Sequence, residues 1–151
     1  MQRRPPTVPD RAADYVEHLR VRYSDSDAQG VVHHSNFFRW LEESRIGLLR
    51  AIDCSYAALN DRGVFIPLTS CACWYPRPAR PSDVVEVHLW VVAVSRASAA
   101  FVYAIRRGDE TLAIAATEHA MVGPDGRVLR LDRNDPFWLA LSRLASPHQA
   151  A

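Results

Sequence analysis

A single carboxylate lies where a polar turn leads into a long helical pattern. Asp27 belongs to the polar segment 24–30, which ends at Gly30, and the helical pattern begins a few residues later. The first backbone N–H groups of a helix have no intrahelical acceptor, and they lie at the positive end of the helix dipole. Such donors hold an oxyanion, and a nearby carboxylate supplies a nucleophile or a general base. We therefore expect acyl transfer or ester hydrolysis at this position.

The candidate residues in the turn and at the helix entrance also have purely structural interpretations. A lone Asp in a turn usually caps the loop as an Asx-turn, and we expect Asp25 to be a solvated turn residue. His34 either orients substrate or water, or bonds only to the backbone at the helix entrance. We expect His33 to be exposed, with its ring directed away from the ring of His34, so that the pair is not a metal site.

The cysteines offer a second type of site. Cys71 and Cys73 share one face of a predicted strand, and with Cys54 and a histidine they would supply the ligands of a zinc site. Because the sequence has no second paired-ligand motif, we expect free thiols, no metal and no other cofactor. An odd and sparse set of three cysteines also indicates a reducing, cytoplasmic compartment.

Composition limits the other classes of function. With 151 residues, 48% hydrophobic content and a net charge of +1, the chain fits one globular domain without bulk attraction to nucleic acid or membrane. We expect a mobile tail over residues 1–13, a single domain over 14–145 and a C-terminal tail over 146–151. No apolar run has the length of a membrane span. All 18 basic residues are Arg, so any ligand phosphate must be met by Arg or by backbone N–H groups.

The sequence contains one long helical pattern and two shorter ones. The first begins with Ser35 or Asn36 as the predicted N-cap and presents apolar residues at helical spacing up to residue 52. Its predicted polar side carries Arg39, Glu42, Glu43, Arg45 and Arg50. A one-turn piece over 55–60 is expected to end at Gly63, and a terminal helix is expected to begin with Asn134 as N-cap and Pro136 in its first turn.

Alternating patterns between the helices predict an antiparallel sheet. We expect strands over 15–23, 64–75, 83–94, 98–107 and 111–122, with a short strand over 128–131. The prolines of segment 77–81 lack an N–H, so that segment is expected to be a turn or an edge crossing. The chain is therefore predicted to be α+β, with one helix on a meandering sheet. Several strands are apolar on both faces, which a homodimer that extends or covers the sheet would explain.

The helix entrance also carries a recognisable motif. Its positions are Arg20, Val21, Asp27, Gly30, Val31, Val32, His34 and Phe37, and only Ser26 departs, where Thr or Cys is usual. Further on, segment 75–83 is similar to a Tyr-x-x-Pro-Ala turn. Across about residues 15–131 the chain resembles hotdog-fold acyl-CoA thioesterases of the 4-hydroxybenzoyl-CoA thioesterase-like (YbgC-type) branch.

This resemblance implies an architecture and a set of roles. The fold would be a five-stranded antiparallel sheet wrapped around one long central helix, with a short C-terminal helix here, and the protein would form a homodimer that assembles further to a homotetramer. Asp27 would be the catalytic carboxylate, and the N–H of His34 would polarise the thioester carbonyl. The ring of His34 would be functional in this branch.

Other residues are candidates for substrate binding. They are Gly30, Val31, His33, Ser35, Asn36, Arg77 and Arg80. The two arginines, like Arg127 and Arg130, are candidates to meet the CoA phosphates, and the alternative is that they are ordinary surface arginines. The expected reaction is hydrolysis of a CoA thioester, or of an acyl-carrier-protein thioester, to free acid and thiol. The alternative is a non-hydrolytic acyl-thioester binding protein or carrier-protein partner on the same fold, for which an acid at the reacting carbon would have no use. The sequence leaves open the acyl group and whether Asp27 is nucleophile or base.

Overall fold

An antiparallel sheet and one long helix make up most of the molecule. The protein is described by a computed structural model over residues 4–145. Its strands are β1 (Tyr15–Arg20), β2 (Leu68–Trp74), β3 (Val84–Val94), β4 (Ser98–Arg107) and β5 (Glu110–Ala120), and its helices are α1 (His34–Ala51), α2 (Tyr56–Asp61) and α3 (Pro136–Ala145). The strands lie in the order β1-β3-β4-β5-β2, and every neighbouring pair is antiparallel. The predicted α+β class and the five-stranded sheet are confirmed.

Helix α1 buries one face against this sheet. Its buried residues are Phe37, Trp40, Leu41, Ser44, Arg45, Leu48 and Leu49. The apolar residues of this set share one continuous core with residues of the central strands, including Leu89, Phe101 and Ile105. Each fully buried aliphatic or aromatic side chain of this kind contributes about 1.5–3 kcal/mol to folding. The apolar face was therefore predicted correctly, but Arg45 was wrongly placed on the polar side, since it is only 8% exposed.

A glycine lets α1 approach β1 closely. Gly47 lies in the middle of α1, and a Cβ atom at this position would overlap the ring and hydroxyl of Tyr15. Glycine normally weakens a helix interior, so its presence here reflects the close packing of the aromatic ring rather than helix propensity. The contact fixes the helix against the edge of the sheet that lies farthest from β2.

Several predicted strand ends differ from the structure. β1 ends at Arg20, because the chain then enters a 3-10 turn over Tyr23–Asp25. β2 begins only after Pro67, which has no N–H for the ladder, and the predicted residues before it contribute a single bridge from Phe65 to Val122. The predicted strand over 128–131 is likewise reduced to one bridge, between Val122 and Val128.

The helix caps also differ from the prediction. The N-cap of α1 is His33, not Ser35 or Asn36, and its side chain accepts a hydrogen bond from the N–H of Ser35. At α3 the carboxylate of Asp135 accepts from the N–H groups of residues 137 and 138 at 2.9 and 3.2 Å, so it replaces Asn134 as the cap. Two predictions hold: Pro136 opens α3, and Gly63, at φ +74°, follows α2.

The sheet is apolar on both of its faces, as predicted. In β4, Tyr103 is buried on the helix side, while its neighbours Val102 and Ala104 are 6% and 0% exposed on the opposite side. At one edge, the first four residues of β2 are exposed and have no strand beyond them in the described chain. The exposed edge at β2 is the surface that a second copy would extend.

The segment before β1 reaches the fold at Arg11. Its guanidinium pairs with Asp14 at 2.6 Å and donates to the carbonyl oxygens of Val91 and Leu144. The whole predicted C-terminal tail over 146–151, together with the first three residues, lies outside the described residues. None of the described helices is long and apolar enough to cross a membrane.

Candidate active site

The polar loop before α1 is built around Asp27. Its Oδ1 accepts the N–H of Gln29 at 2.8 Å, which is an Asx-turn, and its carbonyl oxygen accepts the N–H of Gly30 at 3.1 Å. Gly30 has φ +75°, a left-handed conformation that favours glycine, so the chain reverses here as the sequence predicts. The N–H of Asp27 then donates to Val31 across the loop at 2.8 Å. The loop holds the half-buried acid in one position and uses only one of its two carboxylate oxygens in doing so.

Asp25 ties this loop to the start of α1. Its carbonyl oxygen accepts both the N–H of His33 at 2.9 Å and Nδ2 of Asn36 at 2.8 Å. Its carboxylate accepts the N–H of Arg22 at 2.8 Å. Asp25 is therefore a half-buried clamp rather than the solvated residue that we expected, and Asn36 serves the loop instead of capping the helix.

The two histidines occupy the helix entrance. His34 is the first residue of α1, so its N–H has no intrahelical acceptor, and it makes no backbone hydrogen bond within the described chain. Both side chains are exposed, as predicted for His33. Their ring centroids lie 4.2 Å apart, so the expectation that the rings point in different directions is wrong. The cause is that His33 turns its Nδ1 back toward Ser35, at 2.8 Å from its hydroxyl, to cap the helix.

The turn over residues 75–83 contacts the Asp27 loop and the start of α1. The N–H of Val32 donates to the carbonyl oxygen of Ala79 at 2.8 Å, which joins the two loops. Tyr75 donates its hydroxyl to the carbonyl oxygen of His34 at 3.3 Å and packs edge-on against Phe37, with ring centroids 5.0 Å apart. Burial, followed by the neighbouring Cys73, raises the pKa of Tyr75, so its hydroxyl is a donor at neutral pH.

Tyr75 was not among the predicted site residues. The available signal was its place at the start of segment 75–83, which is similar to the Tyr-x-x-Pro-Ala turn of the family. The predicted arginines lie in the same turn but are not gathered at Asp27. Arg77 pairs with Glu110 at 3.0 Å, and the exposed Arg80 uses its backbone N–H to bind the carboxylate of Asp83.

A small cavity lies beside the helix entrance. It has a volume of about 70 Å³, and its lining includes Asp25, Asn36, Arg39 and Trp40, but neither Asp27 nor His34. Glu43 also lines it, whereas Glu42 is exposed on the surface of α1 as expected. This cavity is therefore not an acyl pocket between the acid and the helix N-terminus.

The cysteines show no arrangement for a metal. Cys54 is buried, Cys73 is half-buried and Cys71 is exposed, and all three are free thiols. Burial raises the pKa of Cys73 to about 11, so it is a protonated thiol at neutral pH. Between residues 4 and 145, no group of three His, Cys, Asp or Glu side chains is placed to hold a metal ion.

The sequence profile of the thioesterase-like superfamily matches residues 21–137, a span that includes the Asp27 loop, α1 and all strands except β1. The chain belongs to this superfamily. This thioesterase-like chain is 31% identical over 94 residues to the acyl-CoA thioester hydrolase YbgC of Escherichia coli, covering 62% of the chain and 70% of that protein.

Solved structures agree with this assignment. A crystal structure of a protein from Aquifex aeolicus matches with a TM-score of 0.78 at 35% identity, covering 83% of this chain and 98% of the other. The DHNA-CoA thioesterase of Staphylococcus aureus also matches with a TM-score of 0.78, at 27% identity, covering 85% of this chain and 87% of the other. The predicted resemblance to YbgC-type thioesterases, the hotdog fold and the assignment as a thioester hydrolase are confirmed.

Proposed function

We propose that this protein hydrolyses acyl-CoA thioesters to the free acid and CoA thiol, with Asp27 as the reacting side chain. The observation that carries the proposal is the double hydrogen bond from the helix start to the carbonyl oxygen of Asp25, which fixes the loop of Asp27 against the first N–H groups of α1. The names of the relatives support the reaction class, since YbgC is an acyl-CoA thioester hydrolase.

Asp27 has two ways to act on a thioester. As a nucleophile, its free oxygen attacks the carbonyl carbon, the C–S bond breaks to release CoA thiolate, and water then hydrolyses the mixed anhydride. As a general base, it takes a proton from the water that attacks the carbonyl directly, and that proton passes to the departing thiolate. Both routes develop negative charge on the carbonyl oxygen, which the N–H of His34 and the dipole of α1 stabilise.

The remaining site residues position the substrate. Gly30 and Val31 present backbone beside the acid, and the exposed side chains of His33, His34 and Ser35 line the approach to the helix entrance. Arg77 and Arg80 lie on the adjoining turn, where a guanidinium can meet a phosphate of CoA with two hydrogen bonds. A phosphopantetheine group on an acyl carrier protein carries a phosphate of the same kind, so either carrier is compatible with this surface.

The cavity beside the helix entrance does not reach Asp27 or His34, which supports a second copy of the chain as the other wall of the acyl site. We propose a homodimer formed along the exposed edge strand β2, whose unpaired backbone groups would continue the sheet into the partner. A second interface would then join two dimers in a homotetramer. The three free thiols fit a reducing, cytoplasmic compartment.

Release of CoA from a panel of acyl-CoA esters tests the function. We expect turnover by the parent protein and a loss of at least about 100-fold in kcat for Asp27→Asn, because the amide is neither a base nor a competent nucleophile. Asp25→Asn is the matched control, since the Asp25 carboxylate binds only the N–H of Arg22 among the described contacts and its carbonyl clamp is retained.

Two outcomes would contradict the proposal. Equal rates for Asp27→Asn and the parent protein would remove Asp27 from the mechanism. Tight binding of acyl-CoA with no turnover across the panel would instead favour an acyl-thioester binding protein, in which the Asx-turn is the whole role of Asp27.

A further inference from the structure

The turn over residues 75–83 is joined to the β4–β5 hairpin by a network of four charged side chains. Arg107, the last residue of β4, donates its Nη1 to the carboxylate of Asp83 at 2.6 Å. Its Nε and Nη2 donate to Oε2 of Glu110 at 3.1 and 2.5 Å. The other carboxylate oxygen of Glu110 accepts from Arg77 at 3.0 Å. Arg107 therefore bridges one carboxylate at the end of the turn and another at the start of β5.

The geometry of this network distinguishes Arg107 from an ordinary surface arginine. An isolated, exposed ion pair contributes little to a structure, whereas a guanidinium that binds carboxylates through several N–H groups fixes their orientation. The side chains of Arg107 and Asp83 are only 28% and 20% exposed. The pKa of Glu110 is lowered, chiefly by its hydrogen bonds from Arg107, so this carboxylate is charged at neutral pH.

The end of the turn has a backbone conformation that needs support. Ser82 has φ +71°, in the left-handed region that residues other than glycine rarely adopt. Its N–H donates to the carbonyl oxygen of Val21 at 2.9 Å, and the N–H of Val21 donates to the carbonyl oxygen of Asp83 at 2.8 Å. Because a strained backbone persists only where its surroundings hold it, these bonds and the ion pair of Asp83 with Arg107 fix the conformation of the turn.

The same turn contacts the start of α1 at two points. The carbonyl oxygen of Ala79 accepts the N–H of Val32 at 2.8 Å, and the hydroxyl of Tyr75 donates to the carbonyl oxygen of His34 at 3.3 Å. His34 is the residue whose N–H is proposed to stabilise the charge on the thioester oxygen. Small displacements of such a group reduce the rate of reaction strongly, so the position of the turn affects the reacting centre.

We propose that Arg107 is a positioning residue for thioester hydrolysis and acts through the turn over residues 75–83. Its two carboxylate partners hold the turn in the conformation in which Ala79 and Tyr75 reach the start of α1. Arg107 itself does not contact the substrate. This inference rests on the proposed function, because it requires the N–H of His34 to bind the developing oxyanion.

Steady-state release of CoA from the best acyl-CoA substrate of the panel tests this role. We expect Arg107→Met, which removes the charge and keeps an unbranched side chain, to lower kcat about 10-fold and to change KM less than about 2-fold. Arg62→Met is the matched control, since Arg62 pairs with Asp135 at 2.8 Å at the start of α3 rather than with the turn. It should lower Tm by a similar amount and leave kcat unchanged.

A double-mutant cycle with Tyr75→Phe separates this role from a general loss of stability. Arg107→Met should lower kcat by a smaller factor in Tyr75→Phe than in the parent protein, because one of the two contacts of the turn is already absent. A parental kcat in Arg107→Met, a loss confined to KM, or equal factors in the two backgrounds would overturn the proposal. Turnover by the parent protein with its loss in Asp27→Asn would leave the proposed function standing in each of these cases.

Discussion

At the scale of the residue, His119 makes stability depend on acid pH. Its imidazole is buried and bonds to Thr117 at 3.1 Å, and its pKa is lowered to about 4 from the ordinary value of 6.5. Between these two values the unfolded chain binds a proton that the folded protein does not. The stabilisation is therefore complete above pH 6.5 and is lost as the pH falls toward 4, by on the order of 2–3 kcal/mol.

Urea denaturation between pH 4 and 7 measures this effect. His119→Gln keeps a polar group at the same position but cannot titrate, so its free energy of unfolding should be lower at pH 7 and should fall less steeply with acid. The prediction fails if the variant and the parent protein lose stability in parallel over this range.

Tyr75 contacts the start of α1 through both its hydroxyl and its ring. Its hydroxyl holds the carbonyl oxygen of His34, the residue whose N–H is proposed to face the substrate, while its ring rests on Phe37. Tyr75→Phe removes only the hydroxyl. We therefore expect kcat to fall about 2–10-fold, which corresponds to the free energy of one hydrogen bond, with KM and Tm little changed. Steady-state kinetics of the parent protein and Tyr75→Phe test this prediction. A change in KM without a change in kcat would contradict a positioning role for Tyr75.

Residue types predict a local turn better than they predict burial. Asp27 and Gly30 stand in the turn that the sequence indicated, because a left-handed glycine after an Asx-turn is a local property. Arg45 could not be assigned from its neighbours in sequence, since its burial depends on partners such as Tyr103, 58 positions away. His33 was missed as a cap because a ring nitrogen replaced the short oxygen acceptors that usually cap helices.

At the scale of the element, the packing of α1 on β1 is sensitive to one methyl group. Gly47→Ala would gain helix propensity of about 1 kcal/mol at an ordinary position. Here the new Cβ overlaps Tyr15, so we expect a net loss of about 1–2 kcal/mol in the free energy of unfolding.

A double-mutant cycle isolates this contact. Tyr15→Ala removes the ring, and in that background Gly47→Ala should become neutral or stabilising in chemical denaturation. A destabilisation of the same size in both backgrounds would mean that the glycine matters for another reason.

The elements themselves were largely predictable, and their ends were not. Periodicity located α1 and the three central strands because their patterns are long and regular. The order of the strands was less accessible: β2 pairs with β5 across the sheet, a contact between Cys71 and Thr117 that no local pattern encodes. The start of β2 after Pro67 followed from a missing backbone donor rather than from hydrophobicity.

At the scale of the whole molecule, the proposed dimer along β2 would link assembly to activity. The cavity beside the helix entrance reaches neither Asp27 nor His34, while the first four residues of β2 lie exposed at the border of the sheet. If a second copy completes the site, specific activity should fall on dilution at the same concentration at which the dimer dissociates. Light scattering and CoA release, measured on one dilution series, compare the two transitions.

Lysine substitutions at two exposed aliphatic residues test which surface forms the dimer. Leu68 opens β2 and is 50% exposed, whereas Val128 is 71% exposed near the turn that follows β5. Leu68→Lys places a charge on the proposed interface, so the molar mass should drop to that of one chain and turnover should fall with it. Val128→Lys adds the same charge elsewhere and should leave both unchanged. If Leu68→Lys retained the parental mass and activity, β2 would not be the dimer edge, and the acyl pocket would have to be completed from the other face of the sheet.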